Sequence, residues 1–251
     1  ETGSTEPVTT RKENNTSRMP LCFFVTRTDS DTITLPEDKS HHVRTVLRMR
    51  SGDGLMLHDG AGNAAEARLV SVEKREVSAR VITEWKPVDT EPERQITVFQ
   101  ALPKIGEKAE QILQHGVELG AVKFVFFGTE KSIHLEGQDR IRRKLARWDD
   151  IARNAAEQSG RGIVPPVLWE DELEGALVHA EGLTILVGTP GAKLTVSEAA
   201  RDSNSLALFM GPESGFTSAE EKTLGGVPVS LGPRILRTET AALAALARLL
   251  L

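Results

Sequence analysis

Three short loops in the last third of the chain combine glycines with polar side chains directly after apolar, strand-like runs. They span residues 187–191, 211–216 and 231–240. The carboxyl ends of neighbouring parallel strands meet at one edge of a sheet, which is where an open α/β sheet binds its ligand. Glycines at such positions let the backbone approach a ligand closely. The alternative is a set of ordinary turns between strands and helices, because glycine after a strand is common.

Side chains in the same loops indicate what a pocket there would hold. Apolar Leu231, Ile235 and Leu236 can enclose a flat ring, since ligand pockets are mostly apolar with a few polar groups. Backbone N–H and C=O groups beside the glycines can read the edge of a purine without charged side chains. We therefore expect an adenine-containing cofactor. The ionisable residues of the last two loops, and hence the candidates for chemistry, are Glu213, Arg234, Arg237 and Glu239.

Standard catalytic and metal-binding motifs do not offer another explanation. The sequence has no P-loop, G-x-G-x-x-G, H-E-x-x-H or G-x-S-x-G pattern. The adjacent His41 and His42 would point about 100° apart on a helix, which makes a poor metal site, so we expect no metal. The single cysteine excludes an internal disulfide and favours a reducing, cytoplasmic setting. No apolar run is long enough to cross a membrane.

Two clusters of polar residues each allow two roles, binding to a ligand or contact with solvent at a helix surface. Residues 140–147 carry five cations, which is typical of a solvated helix face. A nucleic-acid-binding protein with a net charge of −5 can nevertheless have a basic contact face. Arg153, Gln158 and Arg161 lie at the end of the same predicted helix. They can bind a phosphate and a base there, or they can cap and solvate the helix end.

The composition divides the chain into three parts. Residues 1–18 have no apolar periodicity and are predicted to be a disordered leader or a remnant of cloning. Residues 19–88 show short alternating runs with tight turns, which predict a small, mostly antiparallel barrel or sandwich. One stretch, 36–49, is predicted to be helical, with Val43, Val46 and Leu47 on one face. A polar, proline-containing linker follows at 86–93. Residues 94–251 alternate between strands and helices, as expected of an α/β domain.

Apolar periodicity sets the elements of the second domain. Strands are predicted at 96–102, 122–127, 164–168, 183–187, 206–210 and 227–231. Helices alternate with them. A last helix starts at about Thr238 and carries almost no charge, so its faces must be buried in the core or against another subunit.

Specific strings in the sequence resemble one family. Arg153–Arg161 (RNAAEQSGR), Gly211–Phe216 (GPESGF), Leu231–Ala241 (LGPRILRTETA) and His42–Arg48 (HVRTVLR) resemble the bacterial small-subunit ribosomal RNA uridine-N3 methyltransferases of the SPOUT class. The resemblance extends in order from about residue 23 to the C-terminus.

The resemblance implies a fold, a cofactor, partners and site residues. It implies a PUA-like β-barrel followed by a SPOUT-type α/β domain with a deep trefoil knot. The enzyme would act as a homodimer and transfer a methyl group from S-adenosylmethionine to ribosomal RNA or the small ribosomal subunit. The implied cofactor-binding residues are Val187, Gly188, Gly211, Glu213, Gly215, Leu231, Gly232, Leu236 and Thr238. The expected catalytic residues are Arg237, as anion stabiliser, and Glu239, with either Glu239 or a water molecule as proton acceptor. The expected RNA-binding residues are Arg44, Arg48, Arg50, Arg153, Gln158 and Arg161.

Three points stay open at this level. Glu239 can instead be an acidic residue that stabilises the start of its helix. The family usually has glycine where Ser214 stands, and serine is compatible with the loop if its φ is negative. A SPOUT enzyme acting on another RNA, or a non-catalytic RNA-binding assembly factor with the same fold, would share these loops.

Overall fold

The structure, a computed structural model, describes residues 21–74 and 76–251, and the predicted leader over 1–18 lies outside them. The first part of the described chain forms a small six-stranded sheet with the order β1-β3-β4-β5-β2, in which β6 also pairs with β4. β1 and β3 are parallel and the other pairs are antiparallel. The predicted mostly antiparallel β domain is confirmed. Its strands are β1 (Cys22–Phe24), β2 (Thr32–Thr34), β3 (Gly54–His58), β4 (Asn63–Val72), β5 (Val77–Val81) and β6 (Lys86–Pro87).

One short helix of this domain departs from its predicted length and face. Helix α1 (Glu37–His41) continues into a π-helical turn, His42–Val46, rather than running on to residue 49. Val43 is fully buried as predicted, but Val46 is 60% exposed. A π-helical turn has more residues per turn than an α-helix. It therefore rotates the later residues off the face that a 3.6-residue period assigns to the core.

The second part is a seven-stranded sheet in which all neighbouring strands are parallel. The strand order is β11-β13-β10-β12-β7-β8-β9. The predicted α/β domain is confirmed, with one additional short strand, β11. The trefoil knot stays a prediction. The strands are β7 (Gln95–Ala101), β8 (Lys123–Phe127), β9 (Val167–Glu170), β10 (Thr184–Gly188), β11 (Leu194–Thr195), β12 (Ser205–Met210) and β13 (Val227–Ser230).

Helices cover both faces of this sheet, as continuous apolar strands require. Residues of α2, α3 and α7 form one core with alternate residues of the strands, such as Ile96 and Val98. Residues of α4 and α6 form the other core with Phe99 and Phe209, whose rings stack at 4.3 Å. The helices are α2 (Gly106–Glu118), α3 (Gln138–Ser159), α4 (Leu173–Val178), α5 (Val196–Ala199), α6 (Ser218–Leu224) and α7 (Thr238–Leu250). None of the helices in the described ranges is long and apolar enough to cross a membrane.

The C-terminal end of α3 joins the two domains through Glu157. Its carboxylate accepts hydrogen bonds from the Phe24 N–H (3.0 Å) and from Lys39 Nζ (2.5 Å). The Lys39 side chain is 9% exposed and that of Glu157 is 10% exposed. A buried ammonium is tolerable only when it is paired, so this pair ties α1 of the β domain to α3 of the α/β domain.

Arg161, just beyond α3, makes a second buried connection to the interdomain linker. Its guanidinium contacts the Glu91 carboxylate (Nη2–Oε2, 2.5 Å) and donates to the carbonyls of Val117 and Ala121 at 3.0 and 2.7 Å. The Arg161 backbone carbonyl lies 2.9 Å from Nδ1 of the buried His58 in the β domain. Burial lowers the pKa of His58, which favours the neutral ring.

We predict that Glu91→Ala destabilises the protein by about 3 kcal/mol, because it leaves the Arg161 guanidinium buried without its carboxylate. The free energy of unfolding in urea, followed by circular dichroism, measures the effect. Glu93→Ala is the matched control, since Glu93 lies in the same linker and is exposed. Equal stability of the two variants would contradict the structural role assigned to the pair.

Candidate functional site

Four neighbouring strands, β13, β10, β12 and β7, end at the same edge of the sheet. The segments that follow three of them surround a cavity of about 440 Å3, which is within the range of small-ligand sites. The loop predicted at 187–191 contributes residues 188–190, and the other two predicted loops contribute most of the remaining wall. The cavity is lined by Lys108, Gly188, Thr189, Pro190, Met210, Gly211, Pro212, Glu213, Gly215, Val229, Leu231, Gly232, Arg234, Ile235, Leu236, Arg237, Thr238 and Ala241.

The residues predicted to bind a cofactor lie together in this cavity with one exception. Val187 does not line it. Its side chain is 4% exposed and packs in the core that contains Phe99 and Phe209. Successive residues of a strand point to opposite faces of the sheet, so the Val187 side chain is a core side chain, and a contact of this residue with the cofactor stays a prediction. Gly188, the next residue and the last of β10, does line the cavity.

A buried amide and a hydroxyl connect the walls of the cavity. Gln100, on β7, is 1% exposed, and its Nε2 lies 3.0 Å from Thr238 Oγ1 and 3.2 Å from the Gly211 carbonyl. Thr238 Oγ1 itself donates to the Gly211 carbonyl at 2.7 Å. The end of β7, the loop after β12 and the start of α7 are therefore fixed to one another by side chains that are shielded from water.

The loop after β12 depends on two glycines. Gly215 has a φ of 70°, whereas Arg48 is the only non-glycine residue with positive φ among those described. Ser214 therefore has a negative φ, so serine at this position is compatible with the loop. A Cβ on Gly211 would lie only 3.2 Å from Gly215 Cα and Phe216 N, which shows that the loop folds back against its own first residue.

Lys108, in the first turn of α2, holds two carboxylates beside the cavity. Its Nζ lies 3.0 Å from Glu213 Oε1 and 3.5 Å from Glu239 Oε2. The hydrogen bond to Glu213 raises the pKa of Lys108. Burial alone would raise the pKa of the Glu213 carboxyl, but hydrogen bonds from Lys108 and the Lys104 N–H, with the charge of Lys108, lower it overall. Both directions keep the ion pair charged near neutral pH.

The two predicted catalytic residues differ in their positions. Arg237 occupies the N-cap position of α7 without a capping hydrogen bond from its side chain, and it is exposed and lines the cavity. Glu239 lies in the first turn of the same helix, does not line the cavity and has a side chain that is 14% exposed. Its Oε2 makes no hydrogen bond within the described residues and has the Lys108 ammonium as its ionic neighbour. This position also fits the alternative that Glu239 stabilises the start of the helix.

The predicted RNA-binding residues of the β domain lie on and just after its helix. Arg44 is partly exposed and donates to the carbonyls of Glu73 and Lys74 at 3.1 and 2.6 Å. Arg48 and Arg50 are exposed, so both guanidinium groups are accessible to an anion.

The predicted RNA-binding residues around the end of α3 divide into two kinds. Arg153 is exposed and lies over the Phe24 ring at 5.6 Å. Gln158 is exposed and lines a cavity between the domains. Arg161 is 3% exposed, and its guanidinium donates hydrogen bonds to Glu91 and to two backbone carbonyls. The prediction that Arg161 binds RNA is therefore wrong, because its guanidinium is not accessible to a phosphate.

Sequence reasoning missed Lys108 and Gln100. Both follow from the sheet once β7 is known to lie beside β12, because residues at and just beyond its carboxyl end must then face the same site. The spacing along the chain carries no such signal, since β7 ends at Ala101 and the first of the other loops begins only at residue 187. Within 21–74 and 76–251, no cluster of three or more His, Cys, Asp or Glu is placed to hold a metal ion.

Comparison with known proteins defines the class of protein to which the chain belongs. A family model described as an RNA methyltransferase domain matches residues 90–250, and one described as an RNA methyltransferase PUA domain matches residues 35–82. The two matches correspond to the α/β domain with its cavity and to most of the β domain.

Individual relatives narrow the class further. The chain is 35% identical over 230 residues to ribosomal RNA small subunit methyltransferase E of Bacillus subtilis, covering 87% of this chain and 89% of the relative. It is 32% identical over 243 residues to the protein of the same name from Mycobacterium bovis, covering 90% and 89%. The crystal structure of ribosomal RNA small subunit methyltransferase E from Neisseria gonorrhoeae bound to S-adenosyl methionine has a TM-score of 0.83 and 34% identity, with 92% and 97% coverage. The chain belongs to the ribosomal RNA small subunit methyltransferase E family.

Proposed function

We propose that the protein transfers a methyl group from S-adenosylmethionine to N3 of a uridine in small-subunit ribosomal RNA. The observation that carries the proposal is the cavity between the loops after β10, β12 and β13, which brings together eight of the nine residues that the family resemblance assigns to the cofactor. Membership of the family supports the substrate class.

The cavity fits the proposed cofactor in size and in chemistry. Its volume of about 440 Å3 suits a nucleoside-sized ligand. Leu231, Ile235 and Leu236 offer apolar contacts to an adenine ring, and Gly188 and Gly211 bring backbone polar groups to the edge of the cavity. The bound cofactor supplies an electrophilic methyl group on a sulfonium, so the chain itself has to position the base and stabilise charge.

Methylation at N3 requires loss of the imide proton, which leaves negative charge on the two carbonyl oxygens of the base. Arg237 is the cation that lines the cavity at the start of α7 and is exposed to an incoming ligand. Its guanidinium stabilises that charge, as a preorganised cation at a site of developing charge does. The target uridine has to be unpaired or flipped, because N3 lies on the Watson–Crick edge.

The proton passes to Glu239 or to a water molecule. The Glu239 carboxylate is next to the cavity, and Lys108 lies 3.5 Å from its Oε2. Lys108 also holds Glu213, so the same ammonium positions a wall of the cavity and the candidate proton acceptor. Because Glu239 does not line the cavity in this structure, a bridging water is the more direct route for the proton.

The β domain and the end of α3 supply contacts to RNA outside the cavity. Arg44, Arg48, Arg50 and Arg153 provide positive charge, and Gln158 provides an amide that can bind a base edge. Phosphate contacts dominate the affinity of proteins for nucleic acids. This division assigns RNA affinity mainly to these residues and the chemistry to the loops around the cavity.

The protein is also proposed to act as a cytoplasmic homodimer. Much of α7 is buried within one chain, but Leu243, Ala244 and Ala247 stay partly exposed on it. Ile235, at the mouth of the cavity, is 86% exposed. Apolar surface of this kind beside a site is typical of an interface.

Digestion of methylated RNA to nucleosides tests the proposed function. The protein is incubated with S-adenosylmethionine and small-subunit ribosomal RNA or small subunits from a strain that lacks the enzyme, and the products are separated by chromatography with mass detection. The proposal predicts 3-methyluridine. Another methylated nucleoside would contradict the assigned atom, and RNA binding without any methylation would identify a non-catalytic binding protein instead.

We predict that Gly211→Val abolishes binding of S-adenosylmethionine, measured by calorimetry. A side chain at this position would enter the space proposed for the adenosine. The structure gives a more specific reason, because the Cβ would push the backbone of Gly215 and Phe216 and deform the loop. Gly54→Val is the control, since a Cβ there meets nothing within 4 Å. Unchanged affinity in a natively folded variant would exclude the loop after β12 as part of the cofactor site.

We predict opposite effects from substitutions in the two domains. Arg44→Ala with Arg48→Ala weakens RNA binding and reduces the slope of affinity against salt by about 1 per lost phosphate contact, while cofactor affinity is unchanged. Arg237→Ala lowers the methyl-transfer rate about 100-fold or more, as loss of one stabilising group at a developing anion does, with little change in RNA affinity. Equal losses of RNA affinity in both variants would show that binding and chemistry are not divided in this way.

We predict a dimer in light scattering at micromolar concentration, because the exposed apolar residues near Ile235 and on α7 would then be covered. Ile235→Asp is expected to shift the equilibrium towards the monomer. A wild-type protein that is monomeric at this concentration would contradict the proposal.

A further inference from the structure

A further cavity, of about 380 Å3, lies next to the cofactor cavity and is strongly basic. It is formed by the segment after β7, by residues 133–135 and by the first half of α3. No acidic residue of the described chain lines it. Its lining residues are Leu102, Pro103, Lys104, Gly106, Ile133, Leu135, Arg140, Arg143, Lys144 and Arg147.

The helix geometry explains why four of the five cations in 140–147 meet in this cavity. Residues at positions i, i+3, i+4 and i+7 share one face of a helix, and Arg140, Arg143, Lys144 and Arg147 have this spacing. Arg142 falls on another side of α3, where it pairs with Asp139 at 3.0 Å, and it does not line the cavity. Four of the five cations of residues 140–147 thus form a basic helix face that lines the cavity, and Arg142 lies outside it.

Glu110 of α2 neutralises only part of this charge. It accepts two hydrogen bonds from Arg147, at 2.7 and 2.6 Å, and one from Lys144 at 3.1 Å. These bonds lower the pKa of Glu110, against the opposing effect of burial. In the part of the chain that the structure describes, neither Arg140 nor Arg143 has a carboxylate within ion-pair distance, and Lys104 has none either.

The two cavities share a wall, which gives the basic one a functional position. The Lys104 N–H donates to Glu213 Oε2 at 3.3 Å, so the segment that lines the basic cavity is attached to a residue of the cofactor cavity. Lys108, one turn further along, lines the cofactor cavity. An anion held by Arg140 and Arg143 would therefore lie beside the place where the base is methylated.

We propose that this basic cavity binds backbone phosphates of the RNA substrate next to the target nucleotide. The proposal rests on the proposed function and adds a contact surface to it. Five cations with an incompletely compensated charge suit a polyanion, and guanidinium groups bind phosphate oxygens with paired hydrogen bonds. Ile133, which is 37% exposed, offers an apolar contact to the sugar or base that accompanies the phosphate. Phosphates anchored here would orient the strand that enters the cofactor cavity.

Single substitutions on α3 test the proposal, with Arg142→Ala as the matched control. Binding of small-subunit ribosomal RNA is measured at a series of salt concentrations for Arg140→Ala, Arg143→Ala and the control. We expect each of the first two to weaken binding and to reduce the salt slope by about 1, and Arg142→Ala to behave like the wild type. Calorimetry with S-adenosylmethionine and circular dichroism should show unchanged cofactor affinity and fold in all three variants.

Methylation kinetics separate this proposal from the proposed function. The Arg140→Ala and Arg143→Ala variants should raise KM for the RNA and leave kcat near the wild-type value. If the wild type methylates RNA while both variants match Arg142→Ala in affinity, salt slope and KM, the basic cavity is not an RNA contact. A wild type that binds RNA through this cavity but methylates nothing would contradict the proposed function and leave the contact surface supported.

Discussion

The shape of the site depends on the buried hydrogen bonds that join Gln100, Thr238 and Gly211. The Gln100 amide is 1% exposed and does not line the cavity, yet it holds the loop after β12 and the start of α7 in a fixed relation to β7. Hydrogen bonds shielded from water are costly to break because the freed groups find no replacement partner. The positions of the cavity walls thus depend on the hydrogen bonds of Gln100, a residue that does not itself line the cavity.

Charged pairs extend this arrangement outwards. Lys108 connects α2 to both Glu213 and Glu239, so it links the wall of the cofactor cavity to α7. At the far end of α3, the Lys39–Glu157 pair fixes the β domain against the α/β domain. The RNA contacts proposed for the β domain and the methyl-transfer site proposed for the α/β domain are consequently held at a set distance, as an enzyme that positions a large substrate requires.

The sequence predicted much of this because glycine-containing loops after apolar strands report directly on local structure. The two domains, nearly all the strands and the eight predicted cofactor residues that line the cavity followed from such local patterns or from the family resemblance. The burial of Val187 and Arg161 could not be predicted, for a different reason. Which face of β10 a valine occupies, and whether an arginine after α3 meets solvent or Glu91, depend on long-range packing that residue type does not record. Lys108 was missed for the same reason.

Calorimetric titration of Gln100→Leu with S-adenosylmethionine tests the central claim most directly, because leucine fills a similar volume without the amide. If the buried bonds hold the cavity in shape, cofactor affinity falls about tenfold, which corresponds to the roughly 1.4 kcal/mol at stake in such bonds. The exposed Gln111 on α2 provides the control, and Gln111→Leu should bind like the wild type. Wild-type affinity in a natively folded Gln100→Leu protein would show that the cavity does not depend on this interaction.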